Sequence, residues 1–238
     1  MRVGQALPAG ARIETGPGGR VALRLGEGSS LQGPSLRLDV GTQLQLGSRS
    51  VVALNQGAVY VDSASASGSH GAIEVQTPLG RARDIGTRFE VRLQPKALLR
   101  IRVRDGVVRL DQLQKSHDAR EGEELSTDVA GEVTRRAVAI HGPEWDWILK
   151  VAPPFQLEGR TLSEFLDWAS REKGWTVRFA DQATARSAPT TVLHGSIEGF
   201  TPQEALAAIL PTCGLHHYFE GATLVVEPSS NRSTTERK

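Results

Sequence analysis

Residues 157–179 and 197–219 are one motif written twice, forty positions apart. Leu157-Glu158-Gly159-Arg160-Thr161-Leu162-Ser163-Glu164-Phe165-Leu166 aligns without a gap on Ile197-Glu198-Gly199-Phe200-Thr201-Pro202-Gln203-Glu204-Ala205-Leu206, and further on Gly174 meets Gly214 and Phe179 meets Phe219. A repeated unit of this size cannot bury its apolar face alone, so the two copies are expected to close on each other. In each copy a Thr is followed three residues later by Glu (Thr161 and Glu164, Thr201 and Glu204), the pattern of a capping box at a helix start. Pro202 suits the first helical position, and Gly174 and Gly214 suit left-handed stops. Leu162, Phe165, Leu166 and Ala169 share one helical face. Strands follow each stop at 175–179 and 215–219, with a last strand at 222–226. The pattern predicts an α+β module, βαβ–βαβ, over residues 153–227.

Residues 1–140 carry a different signal. Short alternating runs such as Val21-Ala22-Leu23-Arg24-Leu25, Phe89-Glu90-Val91-Arg92-Leu93 and Ile101-Arg102-Val103-Arg104 are separated by turn residues. Period two with closely spaced turns predicts an all-β domain of antiparallel strands, either a sandwich or a twisted solenoid-like roll. Asp105-Gly106 between two such runs predicts a hairpin. Residues 141–154 form a Trp- and Pro-rich linker, in which Trp145 and Trp147 would share a face if the chain were extended. Residues 228–238 are polar and are expected to be a disordered tail.

Composition narrows the function. A net charge of +1 gives no field that favours nucleic acid, and no run of residues is apolar enough for a membrane span. Met1-Arg2-Val3-Gly4 leads straight into turn-rich strand sequence and does not read as a signal peptide. A single cysteine, Cys213, excludes an internal disulfide and a cysteine-based metal site. No cofactor and no metal are implied. His194, His216 and His217 read as scattered strand histidines, since neighbours in a strand point to opposite faces.

The all-β part resembles the FecR domain in the order of its parts, over residues 9–111. Residues 15–25 look like the family's opening strand, and Leu54-Asn55-Gln56-Gly57-Ala58-Val59-Tyr60-Val61-Asp62 like its central segment. Val75-Gln76-Thr77-Pro78-Leu79-Gly80, then Asp84-Ile85-Gly86-Thr87-Arg88-Phe89, matches its Gly-Thr-x-Phe core, and Val103-Arg104-Asp105-Gly106-Val107-Val108 its closing segment. Residues 153–227 are similar to the STN domain, the short domain at the N-termini of secretins and TonB-dependent receptors. The FecR–STN order implies the periplasmic part of a Gram-negative, anti-sigma-type regulator of iron-uptake signalling. Its expected partner is the STN-like signalling domain of an outer-membrane receptor, or a second copy of itself. These residues include neither the cytoplasmic sigma-binding domain nor the membrane anchor of that family. Two readings therefore stay open: an excised periplasmic fragment, or a FecR-domain protein of another branch.

Four groups of residues carry functional expectations. Some members of the resembled family cut themselves at Gly-Thr by an N-to-O acyl shift, which would make Gly86 and Thr87 a self-cleavage site, with Asp84 the nearest activating group. The plainer alternative is a bulge at Gly86 leading into a strand. Otherwise the chain is expected not to be an enzyme. Thr191, Val192, Leu193 and His194, together with Leu224, Val225 and Val226, are the expected free strand edges for a protein partner. Arg100, Arg102 and Arg104 alternate on one strand face and could form an anion patch, which would suit a cell-wall or envelope-binding module. Asp62, Ser63, Ser65, Ser67, Ser69 and His70 read as a loop rather than a triad, since no nucleophile elbow is present.

Overall fold

The computed structural model describes residues 4–26, 33–48, 50–63, 73–84, 86–95 and 98–229. The chain divides into two units, Met1–Gly142 with Asp146–Ala152, and Pro143–Trp145 with Pro153–Lys238.

The first unit is built on strands β1 (Arg12–Glu14), β2 (Val21–Arg24), β3 (Ser35–Leu38), β4 (Gln43–Leu46), β5 (Val51–Asp62), β6 (Glu74–Thr77), β7 (Gly80–Asp84), β8 (Arg88–Gln94), β9 (Leu98–Asp105), β10 (Val107–Gln112), β11 (Lys115–Arg120), β12 (Glu123–Thr127) and β13 (Val133–Ala137). They form one curled thirteen-stranded sheet in the order β11-β10-β7-β6-β5-β8-β9-β12-β13, with β1 joined through β4 and β2 through β3 to the same central β5. The twelve-residue β5 is the hinge of this design. Its first half pairs with β4 and β6 and its second half with β3 and β8. The change of partners falls at Gly57, whose φ of 84° only glycine adopts readily. A Cβ there would lie 2.5 Å from the Thr42 backbone. The Thr42 hydroxyl accepts from the Ala58 N–H at 3.0 Å and donates to the Ala58 carbonyl at 3.1 Å, which satisfies the corner. Side chains from both halves, among them Leu36, Leu54, Val61, Val75, Phe89, Ile101 and Leu110, make one apolar cluster.

The expected Asp105-Gly106 hairpin is a correction. Strand β9 pairs with β8 and β12, whereas β10 pairs with β7 and β11, so the two strands are not partners. Gly106 (φ 83°) turns the chain from one half of the sheet to the other. The dipeptide signals a sharp turn but cannot say which strands the turn joins. The segment that holds Trp145 and Trp147 is not extended. Residues Pro143–Trp145 form a 3₁₀ turn and Asp146–Leu149 a short helix, α1. In helical geometry residues two apart diverge, so Trp145 and Trp147 do not share a face.

In the second unit the helices α2 (Leu162–Lys173), α3 (Gln182–Ser187) and α4 (Pro202–Ile209) accompany β14 (Thr176–Phe179), β15 (Leu215–Glu220) and β16 (Thr223–Pro228). Both capping boxes form, and Gly174 and Gly214 adopt left-handed φ values of 72° and 69°. Leu162, Phe165, Leu166 and Ala169 are buried against Ala205, Leu206 and Leu210. The repeat thus closes on itself as its pattern requires. The predicted leading strands are absent among the described residues. Their place is taken by a single bridge between Thr161 and Val192, with Leu157 and Ile197 buried as apolar anchors. The sheet has three strands in the order β14-β16-β15, β14 running parallel and β15 antiparallel to β16. Helix α3, capped by Asp181, has no counterpart in the repeat.

Candidate functional site

The arginines of β9 are paired rather than free. Arg100 Nη2 donates to Glu90 Oε1 at 3.2 Å, and Arg102 Nε donates to Glu124 Oε2 at 2.5 Å. Arg104, 2% exposed, donates from Nε to the Ile140 carbonyl at 2.8 Å. Opposite charges alternate across neighbouring strands. Arg92 grips both Glu90 and Asp39, Arg20 also reaches Asp39, and Arg136 closes on Glu124 at 2.7 Å. The anion patch expected from Arg100, Arg102 and Arg104 is therefore corrected: carboxylates on β8 and β12 neutralise Arg100 and Arg102, and Arg104 is buried on a backbone carbonyl. Glu90 is the hub that sequence reasoning missed. Trp147 Nε1 donates to Glu90 Oε2 at 2.9 Å, with the Arg92 guanidinium 5.7 Å from the indole ring centre, and Arg37 donates to the Ile148 carbonyl at 3.1 Å. These contacts hold α1 on the sheet. Burial alone would raise the Glu90 carboxyl pKa, but hydrogen bonds and charge from Arg92 and Arg100 outweigh it and hold it below the ordinary range. Asp39 and Glu124 are lowered by the same balance.

Gly86 and Thr87 stand between β7 and β8. Gly86 is exposed with φ 75°, and Thr87 is fully buried. The Thr87 hydroxyl donates to Asp84 Oδ1. The Thr87 N–H donates to the Ser63 hydroxyl at 2.9 Å, which in turn donates to the Thr87 carbonyl at 3.0 Å. Asp84 is itself fully buried, and its Oδ2 has no hydrogen-bond partner. Burial pushes its carboxyl pKa up, against the pull of the neighbouring hydroxyls. Gly106 packs here too, since a Cβ on it would fall 2.4 Å from Thr87 Cγ2. Chemically this is a hydroxyl next to a peptide bond with a desolvated carboxylate on its oxygen. The register shift that marks a bulge lies beyond Gly86, between Arg88 and Phe89. The loop read over residues 63–70 lies outside the described residues from residue 64 onward.

In the second unit the expected free edges are corrected. Leu224, Val225 and Val226 lie on the central strand β16, fully buried and paired on both sides. An apolar run reads equally well as edge or centre, and here it is the centre. Thr191, Val192, Leu193 and His194 fold back on residues 159–162: the Leu193 N–H donates to the Arg160 carbonyl at 2.7 Å, and the Leu193 carbonyl accepts from Gly159 at 3.0 Å. His194 Nδ1 sits 2.8 Å from Glu158 Oε1. The outer strands are β14 and β15. On β15, Tyr218 and Phe219 are about two-fifths exposed. Phe219 packs on Trp175 at 4.7 Å between ring centres, and His217 meets Phe219 edge-on at 5.8 Å. Arg178 reaches Glu220 at 2.7 Å and His216 reaches Glu227 at 2.6 Å. Among the described residues no three metal-ligating side chains converge.

Comparison with known proteins finds a similarity within the first unit. Residues 11–109 match the FecR protein family. The FecR match covers less than half of the chain and includes the Gly86-Thr87 turn and the whole of β5, β8 and β9. No curated protein sequence matches the chain. Two crystal structures, at 2.50 and 1.65 Å resolution, of a candidate anti-sigma factor from Parabacteroides distasonis are similar at 15% identity and a TM-score of 0.48. The alignments cover 92% of this chain and 99% and 100% of those chains. Among the described residues no helix is long and apolar enough to cross a membrane.

Proposed function

We propose that this chain is the periplasmic protein-interaction and signal-relay region of a FecR-type, anti-sigma-like envelope regulator. The FecR domain is its scaffold, and the second unit, an STN-like module, is its docking head. The partner is the matching short domain of a TonB-dependent outer-membrane receptor. The observation that carries the reading is the outer strand β15 of a unit joined to a FecR domain: its ring-bearing residues Tyr218 and Phe219 are exposed. A partner strand added there gains backbone hydrogen bonds for affinity and the rings for selectivity. The test is titration of the full chain with isolated receptor N-terminal domains, followed by calorimetry. Saturable binding that is weakened at least about tenfold by Tyr218→Ala with Phe219→Ala supports the reading, a loss that corresponds to about 1.4 kcal/mol. Binding indifferent to both changes removes β15 as the docking edge.

A second reading concerns Gly86-Thr87 and is favoured by the Thr87–Asp84 hydrogen bond. In it Asp84 accepts the hydroxyl proton as Thr87 Oγ1 attacks the Gly86 carbonyl carbon. The C–N bond then breaks, with the nitrogen taking up a proton to become the Thr87 amine. Water hydrolyses the resulting ester to a Gly86 carboxylate and a free Thr87 hydroxyl. Denaturing mass spectrometry of aged protein tests this. Two fragments that disappear in Thr87→Ala support it, and an intact 25.6 kDa chain after long incubation rejects it.

A further inference from the structure

Strand edges are normally guarded against self-association by charge, proline or bulges. The strands at the two ends of the first unit's main sheet path obey this: β11 reads Lys115-Ser116-His117-Asp118-Ala119-Arg120, and β13 carries Arg135 and Arg136. Strand β15 does not. It reads Leu215-His216-His217-Tyr218-Phe219-Glu220, with no proline, no Lys or Arg and no register shift against β16. Its residues are also complementary to themselves when reversed. In an antiparallel pair of two copies centred on Tyr218, His216 of each chain faces Glu220 of the other, and His217 faces Phe219. Facing residues project to the same side of a sheet, so both matches are geometrically allowed. The second match repeats, between chains, the His217–Phe219 ring contact already made within β15. The first continues a row of alternating charge. Arg178 already pairs with Glu220 and His216 with Glu227, so the seam would read Arg178, Glu220, then His216 and Glu227 of the other copy. Shifting the centre to His217 or Phe219 loses the His–Glu match.

We infer that β15 is the seam of a two-fold symmetric homodimer of this chain, joining two three-stranded sheets into one of six strands. This rests on the docking reading of β15 and adds its regulation, because a partner strand and a second copy compete for the same edge. An isologous contact places a residue at the centre opposite itself. Tyr218→Cys in a Cys213→Ser background therefore forms a disulfide between copies under mild oxidation. Val192→Cys in the same background is the control, a more exposed site on the same unit, at 51% against 40% for Tyr218. Sedimentation of the full chain over a concentration series is expected to move the average mass from 25.6 kDa toward twice that value, and Glu220→Lys to hold it at one chain. Crosslinking through position 218 is expected at least about tenfold faster than through 192, as pre-associated thiols react at high effective concentration. A dimer that crosslinks no faster through 218 than through 192 overturns the β15 seam. A chain that stays monomeric yet binds the receptor domain through β15 overturns the self-pair alone, and a chain that does neither overturns both readings.

Discussion

At the scale of single residues, two buried carboxyls carry opposite shifts and give opposite predictions. Glu90 is held low by Arg92 and Arg100, so its contribution to stability is present above the ordinary glutamate range and is lost as pH falls through its depressed folded value. Removing it takes the most buried carboxylate from Arg92 and Arg100 and leaves the buried Trp147 Nε1 without its acceptor. Glu90→Ala is expected to cost about 3–5 kcal/mol in a chemical denaturation experiment. Asp84 is the reverse case. Its folded pKa is raised, so the ionised form opposes folding at neutral pH, and that penalty fades as pH falls through the folded value. Asp84→Asn keeps an acceptor for the Thr87 hydroxyl and removes the charge. Its melting temperature should match or exceed that of the unmodified chain at neutral pH, with the gap closing on acidification. A mutant that melts lower at neutral pH and keeps its deficit in acid contradicts this assignment. Neither shift was legible in the sequence. Glu90 sits in an ordinary alternating strand, and only the register of β8 against β9 brings Arg100 to it. Asp84 was named as a neighbour of Thr87, but its burial depends on the whole sheet.

At the scale of elements, local chemistry was the most readable layer. Thr161 with Glu164, and Thr201 with Glu204, fix two helix starts through hydrogen bonds spanning three residues, which a sequence displays directly. Each Thr→Ala change is expected to cost about 1 kcal/mol by thermal or urea unfolding. Strand order was not readable, because it is set by pairing across long separations. The run Leu224-Val225-Val226 and the run Leu215 to Phe219 are both strands, yet one is central and the other outermost. The difference is measurable. Leu224→Ala empties a fully buried site and is expected to cost about 2–5 kcal/mol, whereas Tyr218→Ala should stay within about 0.5 kcal/mol. Asp105-Gly106 makes the same point: the turn was visible, but its partners were not.

At the scale of the whole molecule, the paired carboxylates Asp39, Glu90 and Glu124 tie β8, β9, β12 and β13 to one another, and all three are held below their ordinary range. The first unit should therefore lose stability steeply below about pH 4, where these groups take up protons. Melting curves across pH check this, and a flat acid limb would contradict it. The two-part division of the chain was legible because a period-two region gives way to a helical repeat, and the FecR match falls within the first part. The interleaving of strands was not legible, and it has a consequence for Gly86-Thr87. Strand β8 runs beside β5, and β10 beside β7, so segments before and after that bond are laced together along two separate seams. A chain severed there would still travel through a gel-filtration column as a single particle. The break would alter connectivity without altering shape, and an applied pull would peel strands from a sheet instead of meeting an unbroken backbone.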